Sequence, residues 1–433
     1  MTRQTISRLG VLLSAVLAGS WPATLARSAG LPQVAATCST IVEPSRRLEL
    51  PDGGIVSVDM QSLARSGESV LAIGRHAYVF PRNAQLRSSP IVKDSIIGVL
   101  IDRGNVSLVF SPMKPRRVFH PHAVAGQNGS FHVLFATAGD TLPHFVDASD
   151  TATLWYARFD NGTWRSVQRI AAVRGASLNE EASSDFLERD GQLSFLFPFV
   201  DDRDSASTGG VILLRRRQST WSWDTLRTYR RPSAVRARHG PTGESITSVF
   251  PQYGPGLDSI AERLYVARFD STWSARRVIA GDGLRAVMAP DLVAEGDGFI
   301  VSWNSWRAGQ FGSLGLEWLR LNSNNHVVVR SVVDSGKTTF PFELVSADQQ
   351  RPLWLYHGAP YQQAAALVMA LDSGLMRFAD LRAPFFNPAT ISIALSRSRY
   401  LVFTQKVGQT ETEPMAASYT TLLQIRCPTS AQR

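Results

Sequence analysis

Hydrolysis of a glycosidic bond needs two carboxyl groups facing one cleft, one of them held protonated. Acidic residues stand at the starts of short apolar runs in this chain: Asp185, Asp291 and Glu343, with Asp201, Asp202 and Asp204 in one polar stretch. Asp291 and Glu343 open successive runs of similar pattern, so they are the candidate catalytic pair. The plain alternative is that carboxylates at strand ends bond exposed loop amides. The run Asp201-Asp202-Arg203-Asp204 offers oxygens to Ca²⁺ but lacks the glycine and distal glutamate of a dedicated loop. His120, His122, His144 and His357 carry the donors of a zinc site, yet scattered loop histidines are ordinary surface residues. No metal or other cofactor is expected. Tyr253, Trp306, Arg307 and Tyr361 lie in polar stretches where burial does not explain them. Aromatic and guanidinium groups in such places suit sugar stacking or a protein hot spot. With His122, Asp202, Arg203 and His357 they make up the expected ligand-binding set. No Ser/His/Asp frame, phosphate loop or CxxC is present.

The elements that must position these residues are strands. Short apolar runs alternate with turn residues, and no long stretch keeps a helical period. The runs align in a repeat of about 50 to 60 residues, the period of propeller blades. TLWYARFDNGTWRSVQRI (153–170) and RLYVARFDSTWSARRVI (263–279) share a frame, L-x-x-A-R-F-D followed by Thr-Trp. GVILLRRRQSTWSWDTLRTY (210–229) is a looser copy. Segments 121–135, 290–303, 341–356 and 388–403 each begin at a proline and read as strand, tight turn, strand; 185–197 matches without the proline. Unit starts fall near residues 57, 121, 182, 234, 289, 341 and 389.

The expected fold is all-β: a single β-propeller over 38–428, with seven four-stranded blades, or six and an N-terminal extension. The last unit is one strand short, and the stretch at Arg46–Leu50 could supply the missing outer strand. Such closure removes an exposed sheet edge. Turns between first and second strands (GQNG, RDGQ, GDG, SRSR) and between third and fourth strands (DNG, QST, DST, DSG) are tight. Connections between second and third strands are long: 136–152, 199–210, 251–262, 304–315 and 357–366. They share one face with the links between blades, such as 115–122. Long loops on a rigid scaffold are where function concentrates.

Residues 1–30 read as a secretory signal: Arg3 and Arg8, then the apolar run 9–19, then small-residue cleavage sites after Ala26 or Ala36. An uncleaved anchor is the alternative. The run is too short to span a bilayer, and no later stretch is long enough. A secreted or periplasmic location follows, and there Cys38 and Cys427, the two cysteines, are expected to pair and staple the ring, with two free buried thiols as the alternative. The net charge is +9, yet of 45 basic residues only Lys93, Lys114, Lys337 and Lys406 are lysines, and the arginines are dispersed. A nucleic-acid binder would gather them in one stripe. The expected partner is a glycan or an extracellular protein, not nucleic acid or membrane, and the chain is expected to act as a monomer.

The Thr-Trp turns resemble those of the BNR/sialidase-like (Asp-box) propeller superfamily. Asp160-Asn161-Gly162-Thr163-Trp164 comes nearest the S-x-D-x-G-x-T-W pattern, and Asp270-Ser271-Thr272-Trp273 is more eroded. The resemblance implies a propeller whose Trp164, Trp221 and Trp273 are packing anchors away from the working site. The family's F/Y-R-I-P stretch is missing, since Tyr78-Val79-Phe80-Pro81-Arg82 does not replace it, so no arginine of its substrate triad carries over. Two functions are consistent with these residues: a recognition propeller for glycan or protein, and a divergent sialidase-like glycoside hydrolase or lyase.

Overall fold

The computed structural model describes residues 39–42, 46–50, 55–80, 91–112, 118–137, 151–174, 184–201, 208–228, 232, 234–240, 242–253, 261–281, 285–307, 314–333, 342–348, 351–357, 365–371, 374–381, 391–396, 399–407 and 418–426. Every regular element among them is a β-strand. Strands β1 (Ser39–Val42) and β2 (Arg46–Arg47) come first. Sheet one is β3 (Ile55–Ser66), β4 (Ser69–Phe80), β5 (Ile91–Asp102) and β6 (Asn105–Phe110). Sheet two is β7 (Val118–Ala125), β8 (Phe131–Thr137), β9 (Thr151–Asp160) and β10 (Thr163–Arg174). Sheet three is β11 (Asp185–Arg189), β12 (Gln192–Asp201), β13 (Thr208–Arg217) and β14 (Thr220–Thr228). Sheet four is β15 (Arg236–His239), β16 (Ile246–Tyr253), β17 (Ala261–Phe269) and β18 (Arg277–Ala280). Sheet five is β19 (Arg285–Glu295), β20 (Gly298–Arg307), β21 (Leu314–Leu321) and β22 (Val327–Val333). Sheet six is β23 (Phe342–Asp348), β24 (Arg351–His357), β25 (Ala365–Leu371) and β26 (Gly374–Leu381). Sheet seven contains β27 (Ile391–Ser396), β28 (Arg399–Val407) and β29 (Ser418–Arg426). Each is an antiparallel meander, and its first strand lies against the first strand of the next sheet. This is the blade arrangement of a β-propeller.

Local chemistry explains the repeat. In the hairpin between β9 and β10, Asn161 and Gly162 both have positive φ (47° and 75°), the type I′ geometry that matches strand twist. In both copies of A-R-F-D the arginine Nε donates to the aspartate two residues on, Arg158 to Asp160 at 3.0 Å and Arg268 to Asp270 at 2.9 Å. The phenylalanine between them meets the tryptophan edge-on, Phe159 with Trp164 at 5.2 Å and Phe269 with Trp273 at 5.3 Å. Trp164, Trp221 and Trp273 pack against seam clusters, as anchors should.

Two expectations need correction. Pro121 and Pro290 do not open their strands but sit inside β7 and β19, where the register breaks between Phe119 and His122 and between Met288 and Asp291. Proline has no N–H for the ladder, so the strand bulges there and continues. Arg46–Leu50 is also not the main outer strand of the last sheet. Ser39–Val42 pairs with Leu423–Arg426, and only Arg46 and Arg47 add a short second pairing to Thr420 and Tyr419.

The core is divided among the seams between sheets. Phe119, Leu134 and Tyr156 of sheet two interlock with Phe186, Phe195 and Leu214 of sheet three. Val249, Leu264 and Ile279 of sheet four meet Phe299, Val301, Trp303 and Leu319 of sheet five. Leu422 of sheet seven and Leu48 join a cluster with Val56, Val70 and Val99 of sheet one, and β27 lies against β3. Among the described residues, no helix is long and apolar enough to cross a membrane.

Candidate functional site

The first strands are linked by side chains that reach to the next sheet. The Ser62 hydroxyl on β3 accepts from Ala123 N–H on β7 at 3.1 Å. Asp185 on β11 accepts from Ala237 N–H on β15 at 2.9 Å, from Arg238 at 2.8 Å and from its neighbour Phe186 N–H at 3.0 Å. Asp291 on β19 accepts from Leu344 N–H on β23 at 3.1 Å and lies 3.4 Å from Arg236 Nε. Arg236 in turn donates to Ser184 C=O at 3.1 Å, so this guanidinium spans three consecutive sheets. Asp185 and Asp291 therefore act as fixed acceptors that set one sheet against the next. Asp291 bonds the amide next to Glu343, so the structure brings these two positions onto adjoining first strands.

The remaining residues of the expected site separate by position. Tyr253, Arg307 and His357 are the last residues of β16, β20 and β24, with Trp306 just before Arg307, and Asp201 ends β12. These are equivalent points in successive sheets, at the rim from which the long connections depart. His122 lies deeper, on β7, half-buried with its ring 6.0 Å from Phe195 in an edge contact, so it belongs to a seam. His120 lies on β7 as well. Asp202, Arg203, Asp204, His144, Tyr361, Cys38 and Cys427 fall outside the described residues. Among the described residues no group of three or more histidine, cysteine or acidic side chains forms a metal-binding cluster.

At the opposite end, near the tight turns, the seam between sheets two and three holds a polar relay. Arg216 donates to the Tyr156 hydroxyl at 2.9 Å and lies 4.6 Å from that ring's centroid. The hydroxyl is 2.7 Å from His132 Nδ1. The Tyr156 oxygen accepts from Arg216 and either donates its own proton to Nδ1 or accepts from it, according to the histidine tautomer. Burial, with Arg216 and Arg158 nearby, pushes His132 down to about 4 and so favours the neutral ring. Burial raises Tyr156, against the opposing pull of the same arginines. Neighbouring Arg215 projects to the other side of β13, as alternation demands, over Phe269 of sheet four at 4.5 Å. Arg215 and Arg216 thus clamp both neighbouring sheets.

Glu317 escaped the sequence reading. It lies in the middle of β21, 3 % exposed, bonded to Arg330 at 3.0 Å. Its signal was a single acidic residue inside the apolar run LGLEWLRL, where an unpaired charge is not tolerated.

No family model and no curated protein matches the sequence. Solved structures do match in fold. The polysaccharide lyase Uly1 is 11 % identical over 84 % of this chain and 89 % of its own, with a TM-score of 0.52. An α-L-arabinofuranosidase from Fusarium graminearum is 11 % identical over 89 % of this chain and 97 % of its own, with a TM-score of 0.42. An α-L-arabinanase from Penicillium chrysogenum is 13 % identical over 90 % and 97 %, with a TM-score of 0.40. At that identity the likeness to the lyase, the one of these three with a TM-score above 0.5, is one of fold.

Proposed function

We propose that this chain is an exported glycan-recognition propeller, a ring of seven blades that takes its ligand at the rim of the long connections. The observation that carries this reading is the division of labour among polar residues. Tyr253, Trp306, Arg307 and His357 end second strands at one rim, whereas Asp185 and Asp291 are committed to bonds between sheets. Asp202, Arg203 and Tyr361 complete the proposed ligand set, and His122, which lies in a seam, is left out of it. Contact of β27 with β3 supports closure of the ring, and pairing of Ser39 with Arg426 supports a Cys38–Cys427 staple. Cys38 precedes Ser39 and Cys427 follows Arg426 in the sequence, so a continuation of that pairing would bring them within reach of a disulfide. A linked Cys38–Cys427 peptide in a non-reducing digest would establish it.

The test of function is a glycan array run beside hydrolase and lyase turnover assays on the full mature chain. Saturable binding without turnover, weakened at least about tenfold by Trp306→Ala or Tyr253→Ala, is the expected result. Turnover abolished by Asp291→Asn or Glu343→Gln would replace this reading with that of a divergent glycoside hydrolase or lyase.

A further inference from the structure

We infer that the outer mouth of the seam between sheets two and three binds an acidic saccharide, a sugar ring that carries a carboxylate or sulfate group. Only the choice of a sugar as the carrier rests on the glycan reading above. Three copies of the Thr-Trp frame stand in consecutive sheets, and their shared arginine is Arg158, Arg215 or Arg268. Arg215 bonds Asp224 and lies over Phe269 of the next sheet. Arg268 bonds Asp270 and, through Nη1, the Ser323 carbonyl of the next sheet. Both are accounted for by partners within the fold. Arg158 bonds Asp160 through Nε and has no other partner among the described residues.

Two further substitutions within the frame gather charge at this seam alone of the three. The residue opposite Arg158 is a second arginine, Arg165, where the other copies carry Ser222 and Ser274. Sheet three carries Arg216 where its sister copies carry Phe159 and Phe269, and Arg216 reaches Tyr156, whose ring is stacked with His132. His132, Arg158 and Arg165 form one cross-strand row, so the three guanidinium groups share one mouth. Among the described residues the one carboxylate whose charge reaches Tyr156 and His132 is Asp160. Arg165 is exposed and has no hydrogen-bond or ion-pair partner among the described residues. Like charges directly opposed in a ladder repel, and an oxyanion that accepts from several guanidinium forks relieves them. The ring has its platform alongside. Trp221 stands opposite Arg216 and fills the seam edge-on to Tyr156. Trp223, two residues and about 7 Å further along the same side of β14, is 55 % exposed. An indole left in water beside such a cluster suits stacking on one face of a sugar. The hairpin turns at 161–162, 190–191 and 218–219 are two residues each, too short to fold over the mouth.

The experiment is calorimetry on the full mature chain with oligogalacturonate, a sulfated heparin fragment and a neutral galactan oligosaccharide. Saturable binding of an acidic probe with Kd on the order of 0.1 mM is expected, weakened at least about tenfold between low salt and about 0.5 M salt. Binding of one acidic class without the other sustains the site and names the group it takes. Arg165→Gln and Trp223→Ala, both at exposed positions, should each weaken the acidic probe by at least about tenfold. Arg277→Gln removes an equally exposed arginine from β18 and should leave that binding unchanged, as should Trp306→Ala at the rim. No binding of either acidic probe, binding indifferent to Trp223→Ala, or an equal loss on Arg277→Gln overturns the site. Acidic binding that depends on Trp306 but not on Arg165 would overturn it while the rim reading stands. Binding that depends on Arg165, with no rim-dependent binding on the array, would sustain the site and sink the rim reading.

Discussion

Between sheets two and three the Arg216 guanidinium lies over the Tyr156 ring and donates to the hydroxyl of that same side chain. Between sheets four and five Arg330 lies 6.0 Å from the Trp303 ring centroid and finds its acceptor on another strand, at Glu317. Tyrosine combines ring and acceptor, so the first seam closes on itself, with Trp221 edge-on to Tyr156 at 5.6 Å. Tryptophan offers no acceptor, so the second seam spreads its polar groups over three strands and leaves a cavity. The same cation–aromatic pairing thus makes a filled joint in one place and a lined hollow in another.

Removing each cation sharpens the contrast. Arg330→Ala removes the guanidinium bonded to a carboxylate that is only 4 % exposed. Breaking a buried pair costs roughly 3–5 kcal/mol; because Arg330 itself is 46 % exposed, solvent screening lowers the expected loss to about 2–3 kcal/mol. Arg216→Ala leaves a neutral hydroxyl still bonded to His132, and should cost less, roughly 1–2 kcal/mol. Urea titration measures both, and a larger loss for Arg216→Ala would break the comparison.

A third effect belongs to the filled seam alone. His132 is depressed to about 4 in the folded chain, below its unfolded value near 6.5. Its contribution is full above pH 6.5 and is lost as pH falls toward 4, because the unfolded chain takes up the proton first. Half-buried His239 is lowered as well, so the relevant quantity is the difference in Tm between wild type and His132→Gln. That difference should shrink from pH 7 to pH 4; a constant difference would show that His132 does not control the acid limb. The smallest effect is expected from Trp221→Phe. The indole N–H of Trp221 is buried without a hydrogen-bond partner, so its loss removes no bond, and the change should stay within about 1 kcal/mol.

The architecture was legible because its signals are local. Unit starts expected at 57, 121, 182, 234, 289, 341 and 389 fall close to first strands beginning at Ile55, Val118, Asp185, Arg236, Arg285, Phe342 and Ile391. Asn161-Gly162 declares its own turn, and Phe159 with Trp164 declares its own packing. The contacts between sheets were not legible. Asp185 meets Ala237 across 52 residues, and a repeat pattern aligns neighbouring sheets only to within a few residues, whereas a hydrogen bond needs alignment to a fraction of one. For the same reason the sequence did not show that the Asp291 carboxylate accepts from Leu344 on the next sheet. Proline at 121 and 290 misled in a different way, since it marks a strand start as readily as a bulge.

The pairing of Ser39–Val42 with the C-terminal strand has a consequence for biosynthesis. The residues that close the last sheet are made before those of every other sheet, and their partner, as far as Arg426, lies 387 residues later in the chain. Contacts of such long sequence separation form late, because the whole loop must be ordered before they are rewarded. A chain interrupted anywhere before Ser418 leaves its first strand without a partner. The first described strand to be made thus finds its partner only when the last described strand has been made.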